Sequence, residues 1–155
     1  MNKKGFTLIE LLIVVAIIGI VAAIAIPNLL IALQKGKQKS TMGDLKNVGN
    51  AVESYLADNA FCPQAADFNA LRVAGYFVPF HIKVCPETDS WGTPFVYERG
   101  DITSDATLDL YSMISYGRNR VATPVVQGFW TTRLTDFNHD LYLANGIFTR
   151  APRKK

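Results

Sequence analysis

The chain has 155 residues, 16 Lys or Arg against 13 Asp or Glu, a formal net charge of +3 and 49% hydrophobic side chains. That positive excess is too small and too scattered for a nucleic-acid footprint, which needs a concentrated basic face. An apolar span near the N-terminus leaves roughly 100 residues for a globular part, enough for one small core and not two.

The chain opens on a short basic stretch, Lys3-Lys4, then Gly5-Phe6-Thr7-Leu8-Ile9-Glu10. An uncharged run from Leu11 to Leu33 follows directly. As a helix it is roughly 35 Å long at about 1.5 Å per residue, enough to cross a hydrocarbon core of about 30 Å. Glu10 stands at the mouth of this run. An acid at the centre of such a helix costs about 2.5–3.5 kcal/mol on insertion scales, and ionisable groups kept there usually have a specific partner and a task. That partner need not lie in the same chain, which points to a subunit of an assembly. A secretory signal peptide cut at Ala23-Ile24-Ala25 and a plain single-pass anchor are the alternatives. Neither has a use for Glu10, and the run exceeds the roughly 7–15 apolar residues of a signal peptide. Lys3 and Lys4 favour an N-in orientation, but Lys35, Lys37 and Lys39 beyond the span weaken that bias. Orientation rests more on the C-terminal part needing to sit outside.

Gly5-Phe6-Thr7-Leu8-Ile9-Glu10 after a basic leader resembles the N-terminus of type IV pilins and type II secretion pseudopilins, over about Lys3 to Pro27. The resemblance implies cleavage between Gly5 and Phe6 by a membrane prepilin peptidase, which then methylates the Phe6 amino group. It implies that Glu10 pairs with the Phe6 ammonium of a neighbouring subunit as a helical filament grows. Pro27 belongs to the same assembly segment. Implied partners are further copies of the chain, other pseudopilins or minor pilins, an inner-membrane assembly platform, the prepilin peptidase and membrane lipid. The implied location is the bacterial inner membrane, single-pass, with a periplasmic head. The assembled filament would lie in the periplasm or at the cell surface.

Farther along, Pro27 removes a backbone donor and predicts a kink or a local melting of the helix. Leu45, Val48, Val52, Tyr55 and Leu56 recur at three- and four-residue steps and mark one apolar helical face. Gly36, Gly43 and Gly49 each cost about 1 kcal/mol of helix stability relative to alanine and allow bending or close packing. The expected helix covers residues 6–58, with the membrane span at about 9–33. Ala66 to Ala74 reads as a short helix ended by Gly75. Trp91 to Glu98 reads as a turn entering a strand, and Asp109 to Tyr116 as a second strand. Leu141 to Ala144, Asn145-Gly146, then Ile147 to Arg150 is a hairpin signal, because Asn-Gly supplies the two positive φ angles of a tight turn. The expected fold class is α+β, with the long helix packed on a small antiparallel sheet. Residues 1–5 form the leader and residues 59–155 the head.

Cys62 and Cys85 each precede a proline. A head outside the cytoplasmic membrane lies in an oxidising compartment, which predicts a Cys62–Cys85 disulfide worth about 3 kcal/mol in the chain-entropy model. Two buried thiols are the alternative, and a zinc site lacks the paired ligand spacing.

Asp89 to Tyr97, Tyr111-Ser112 with Ser115 to Asn119, and Asp136 to Leu141 look like the major pseudopilin of type II secretion. In that family the loop before the last strands often carries calcium, which takes six to eight oxygen ligands. The resemblance implies Asn119, the Val121 carbonyl, Asp136, Asn138 and Asp140 as ligands. Departures are Asn119 in place of an aspartate, Arg120 in place of a glycine, and a longer 122–134 segment holding Phe129 and Trp130. The alternative is a capped surface turn. Trp91, Phe95, Tyr97, Tyr111 and Tyr116 read as core. His81 and His139 have no neighbouring nucleophile or acid in sequence, and there is no phosphate-binding glycine loop. The expected function is a non-enzymatic structural subunit of a periplasmic pseudopilus in type II secretion. A type IV pilus subunit for motility or adhesion is the second reading. A membrane-anchored binding domain, using Phe129-Trp130 and the 136–140 loop, is the third.

Overall fold

A computed structural model describes residues 5–100, 110–122 and 137–152, with the backbone of 132–133. The chain forms two compact units, 1–36 and 37–155. Helix α1 (Leu8–Asn59) begins in the first and ends in the second.

In the first unit every large apolar side chain between Phe6 and Leu33 is exposed. A helix apolar on all sides needs lipid or another apolar helix around it. Among the described residues α1 is the one helix long and apolar enough to cross a membrane. Of the two outcomes expected at Pro27, local melting is absent: α1 runs through it. Pro27 offers no N–H to the preceding turn, but the Asn28 side chain donates Nδ2 to the Ile24 carbonyl at 3.1 Å. That bond falls on the carbonyl one residue beyond the one Pro27 leaves without its helical donor, that of Ala23.

In the second unit the predicted apolar face of α1 forms the core. Leu45, Val48 and Val52 are fully buried, and Tyr55 and Leu56 pack at the margin. They meet Phe68 and Leu71 of α2 (Phe68–Val73) and an array of strand residues that includes Tyr97, Tyr111, Met113, Leu141 and Leu143. Helix α2 starts where Asp67 accepts the Ala70 N–H at 2.7 Å, an N-cap.

The strands are β1 (Val96–Gly100), β2 (Leu110–Ser115), β3 (Thr132–Arg133), β4 (Leu141–Ala144) and β5 (Ile147–Ala151). They form one five-stranded sheet in the order β1-β2-β4-β5-β3. The first four in that order pair antiparallel, as expected, and β4–β5 is the Asn145-Gly146 hairpin with φ of 44° and 70° at the two turn residues. The two-residue β3 adds a parallel edge to β5, which the sequence does not signal. Gly49 lies where α1 crosses β4: a Cβ there would fall on Leu143 Cδ2. Tyr111 Oη donates to the Gly49 carbonyl at 3.1 Å and lies 2.9 Å from Glu53 Oε1. Gly49 therefore packs inside its own head, while Gly36 and Gly43 face open space.

Candidate processing and assembly site

Gly5, Phe6 and Thr7 precede α1 as exposed, irregular backbone. Thr7 is the N-cap and Glu10 the third helical residue. Thr7 N–H donates to Glu10 Oε2 at 2.8 Å, Thr7 Oγ1 donates to the same oxygen at 2.7 Å, and Glu10 N–H donates back to Thr7 Oγ1 at 3.3 Å. This is a capping box, two orphan helix donors satisfied reciprocally. The sequence reading assigned Glu10 a partner in another subunit and overlooked Thr7. The Thr-x-x-Glu spacing before an apolar run was the available signal. The Glu10 carboxylate is thus held at the helix mouth by its own chain, with both bonds ending on one oxygen. A Cβ at Gly5 would meet nothing within 4 Å, so no contact among the described residues calls for glycine there.

The structure keeps Cys62 and Cys85 as cysteines rather than the expected disulfide. Cys62 is fully buried in the main core. Cys85 packs at its margin, its Sγ 3.8 Å from the Pro86 carbonyl, and burial pushes its thiol pKa up. A raised pKa leaves less thiolate, the form that attacks in disulfide exchange.

Of the implied calcium ligands, Asp136 lies outside the described residues, as do Phe129 and Trp130. Asn119 Oδ1 accepts the Val121 N–H at 3.2 Å, and Asn138 Oδ1 accepts Arg118 Nε–H at 2.9 Å. Val121 is exposed on the surface, and Asp140 is fully buried. These residues come from two loops that do approach one another, since Arg118 N–H donates to the Phe137 carbonyl at 3.0 Å. The Asn119 and Asn138 side-chain oxygens thus serve donors of the chain itself.

Asp89 organises the loop before β1. Its Oδ1 accepts the Trp91 and Thr93 N–H groups, each at 2.9 Å, and its Oδ2 accepts Ser115 Oγ–H at 2.7 Å. A buried carboxylate with three donors is structurally satisfied. The structure also gathers a set that linear spacing hid: His81 Nδ1 lies 3.0 Å from Ser54 Oγ and its Nε2 3.9 Å from Asp58 Oδ2. Asp58 is largely exposed, and the carboxylate and hydroxyl occupy ring nitrogens in the wrong sense for an acid that orients a base beside a nucleophile. The set ties the loop after α2 to α1.

Residues 1–26 match the family model described as the prokaryotic N-terminal methylation motif. The chain is 30% identical over 126 residues to the type II secretion system core protein G of Pseudomonas aeruginosa, covering 76% of this chain and 87% of that one. It is 31% identical over 126 residues to the core protein G of Vibrio cholerae, covering 76% and 84%. It is 51% identical to the type IV major pilin protein PilA of Myxococcus xanthus, but over 57 residues, 37% of this chain and 26% of that one. No solved structure matches the chain. The head as well as the N-terminal helix is thus shared with the secretion proteins, and the chain belongs to the type II secretion core protein G family, pseudopilins with a type IV pilin-like N-terminus.

Proposed function

We propose that this chain is a structural, non-catalytic subunit of a pseudopilus that serves type II protein secretion. It waits in the bacterial inner membrane on residues of about 9–33, with its head in the periplasm. A prepilin peptidase cuts between Gly5 and Phe6 and methylates the new terminus. The observation that carries this reading is a helix apolar on every side with one carboxylate at its mouth, in a chain whose likeness to core protein G extends through the head. Gly5, which no contact among the described residues requires, fits a residue read by a peptidase. Inside a filament the apolar helices cover one another, and Glu10 receives the Phe6 ammonium of the next subunit. Such a pair in low dielectric gives register more dependably than net stability. Other pseudopilins and an inner-membrane platform complete the assembly.

Intact mass of the membrane-extracted protein tests processing: the expected chain begins at methylated Phe6, and one beginning at Met1 or Ile26 refutes it. Deletion is expected to abolish release of secreted enzymes and to spare twitching. The likeness of the N-terminal third to a type IV pilin keeps a pilus subunit as the second reading, which the reverse outcome would favour.

A further inference from the structure

Between Glu10 and Asp44 the chain carries three charges, Lys35, Lys37 and Lys39, all of them positive. Their side chains are exposed. Among the described residues none of the three has a side-chain hydrogen bond or an ion pair. Asp44 follows Lys39 by five residues, outside the three- or four-residue spacing at which neighbours on a helix pair. The three ammonium groups are therefore left to their surroundings.

Position along α1 identifies those surroundings. At about 1.5 Å per residue the lysines stand roughly 3, 6 and 9 Å beyond Leu33, where the apolar run ends. The interfacial layer outside a hydrocarbon core is about 5–8 Å deep on each side, and a lysine stem lets its ammonium reach away from its own Cα toward that layer. At about 100° per residue, Lys35 and Lys39 lie on one side of the helix and Lys37 on the opposite side. A pocket on a protein partner meets charges gathered on one side, whereas phospholipids surround a membrane helix.

We infer that Lys35, Lys37 and Lys39 form a collar on α1 that binds the phosphates of anionic phospholipids at the membrane face where the span ends. The inference rests on the reading of residues of about 9–33 as that span. Phosphatidylglycerol brings a phosphate with no cation of its own, whereas the ammonium of phosphatidylethanolamine competes with lysine for its phosphate. Each lysine near an anionic membrane surface favours association by about fivefold, and salt screens the attraction between exposed charges.

The test uses the whole protein as extracted from membranes, reconstituted at low density in phosphatidylcholine vesicles. Trace spin-labelled phosphatidylglycerol or phosphatidylethanolamine is added, and electron paramagnetic resonance gives the fraction of each lipid immobilised on the protein. The expected association is about fivefold or more in favour of phosphatidylglycerol, and weaker in about 1 M salt. Lys35→Gln, Lys37→Gln and Lys39→Gln combined are expected to remove most of the preference. Each single substitution is expected to remove part of it, and the three decide the matter if the combined variant does not insert. Equal immobilisation of the two lipids by the native protein overturns the proposal. So does a native preference in the combined variant or in all three single ones, which would assign it to other cations such as the amino terminus or the basic residues 150–155. Alkaline extraction of the same vesicles reports the span itself: a protein that resists extraction yet shows no preference loses the collar alone, and one that washes off loses the span reading with it.

Discussion

Glu10 shows how far a single residue can be read from sequence. Its presence in an apolar run signalled a partner, but the nearest partner is Thr7, three residues back in the same chain. Family likeness drew attention to an intermolecular pair, while the Thr-x-x-Glu spacing carried the local one. Gly49 was legible as a weak point in a helix that allows bending or close packing, without the partner it packs on. Its role emerges from long-range packing, because a Cβ would fall on Leu143, itself fully buried in the core. Gly49→Ala therefore sets an overpacking cost of about 1–3 kcal/mol against about 1 kcal/mol of improved helix propensity, and is expected to destabilise. Gly43→Ala, facing open space, keeps only the propensity gain and is expected to stabilise by about 1 kcal/mol. Thermal melts of the two variants beside the native protein check this pair, and shifts of the same sign would contradict the packing argument.

Elements were the most legible level. The three- and four-residue recurrence of Leu45, Val48 and Val52 marked the buried face of α1, and Asn145-Gly146 marked the β4–β5 turn, because both are local rules. The parallel β3 edge was hidden, since a two-residue strand carries no period. The continuation of α1 through Pro27 was hidden for another reason: the local rule for proline allows a kink or a break and does not choose between them. Tyrosines on the strands make the sheet pH-sensitive. Burial pushes Tyr97, Tyr111 and Tyr142 upward, Tyr142 to about 12, and for Tyr111 the Glu53 carboxylate beside its hydroxyl adds to the shift. Unfolded tyrosines ionise near 10. The folded state thus holds its protons longer, so the stability these residues contribute is complete below pH of about 10 and is lost as pH rises through their folded values. Tyrosinate absorbance is expected to appear together with loss of near-UV dichroism above about pH 10. Full tyrosine ionisation with dichroism intact would contradict the burial argument.

At the scale of the whole molecule, the two units solve different problems. Residues 37–155 bury their own core. The described residues of the first unit, 5–36, expose apolar side chains all round and depend on whatever apolar surroundings cover them. Transfer between those surroundings is cheapest if the one carboxylate is never without donors. In the proposed assembly Thr7 would supply them before a neighbour's ammonium arrives, and because its two bonds share Oε2, Oε1 would be left for that ammonium. Thr7→Ala removes the hydroxyl's bonds and the N-cap, worth about 1 kcal/mol, while leaving the span and its insertion intact. Thr7→Ser keeps both hydroxyl bonds. Glu10→Ala also removes the partner proposed for the neighbouring subunit. The expected order of filament yield, counted by electron microscopy of sheared filaments from cells with equal membrane levels of subunit, is native and Thr7→Ser together, Thr7→Ala lower, and Glu10→Ala lowest. Native yield from Glu10→Ala would remove the carboxylate from assembly altogether. Native yield from Thr7→Ala with none from Glu10→Ala would leave the intermolecular pair standing and reduce the capping box to a local feature of the helix.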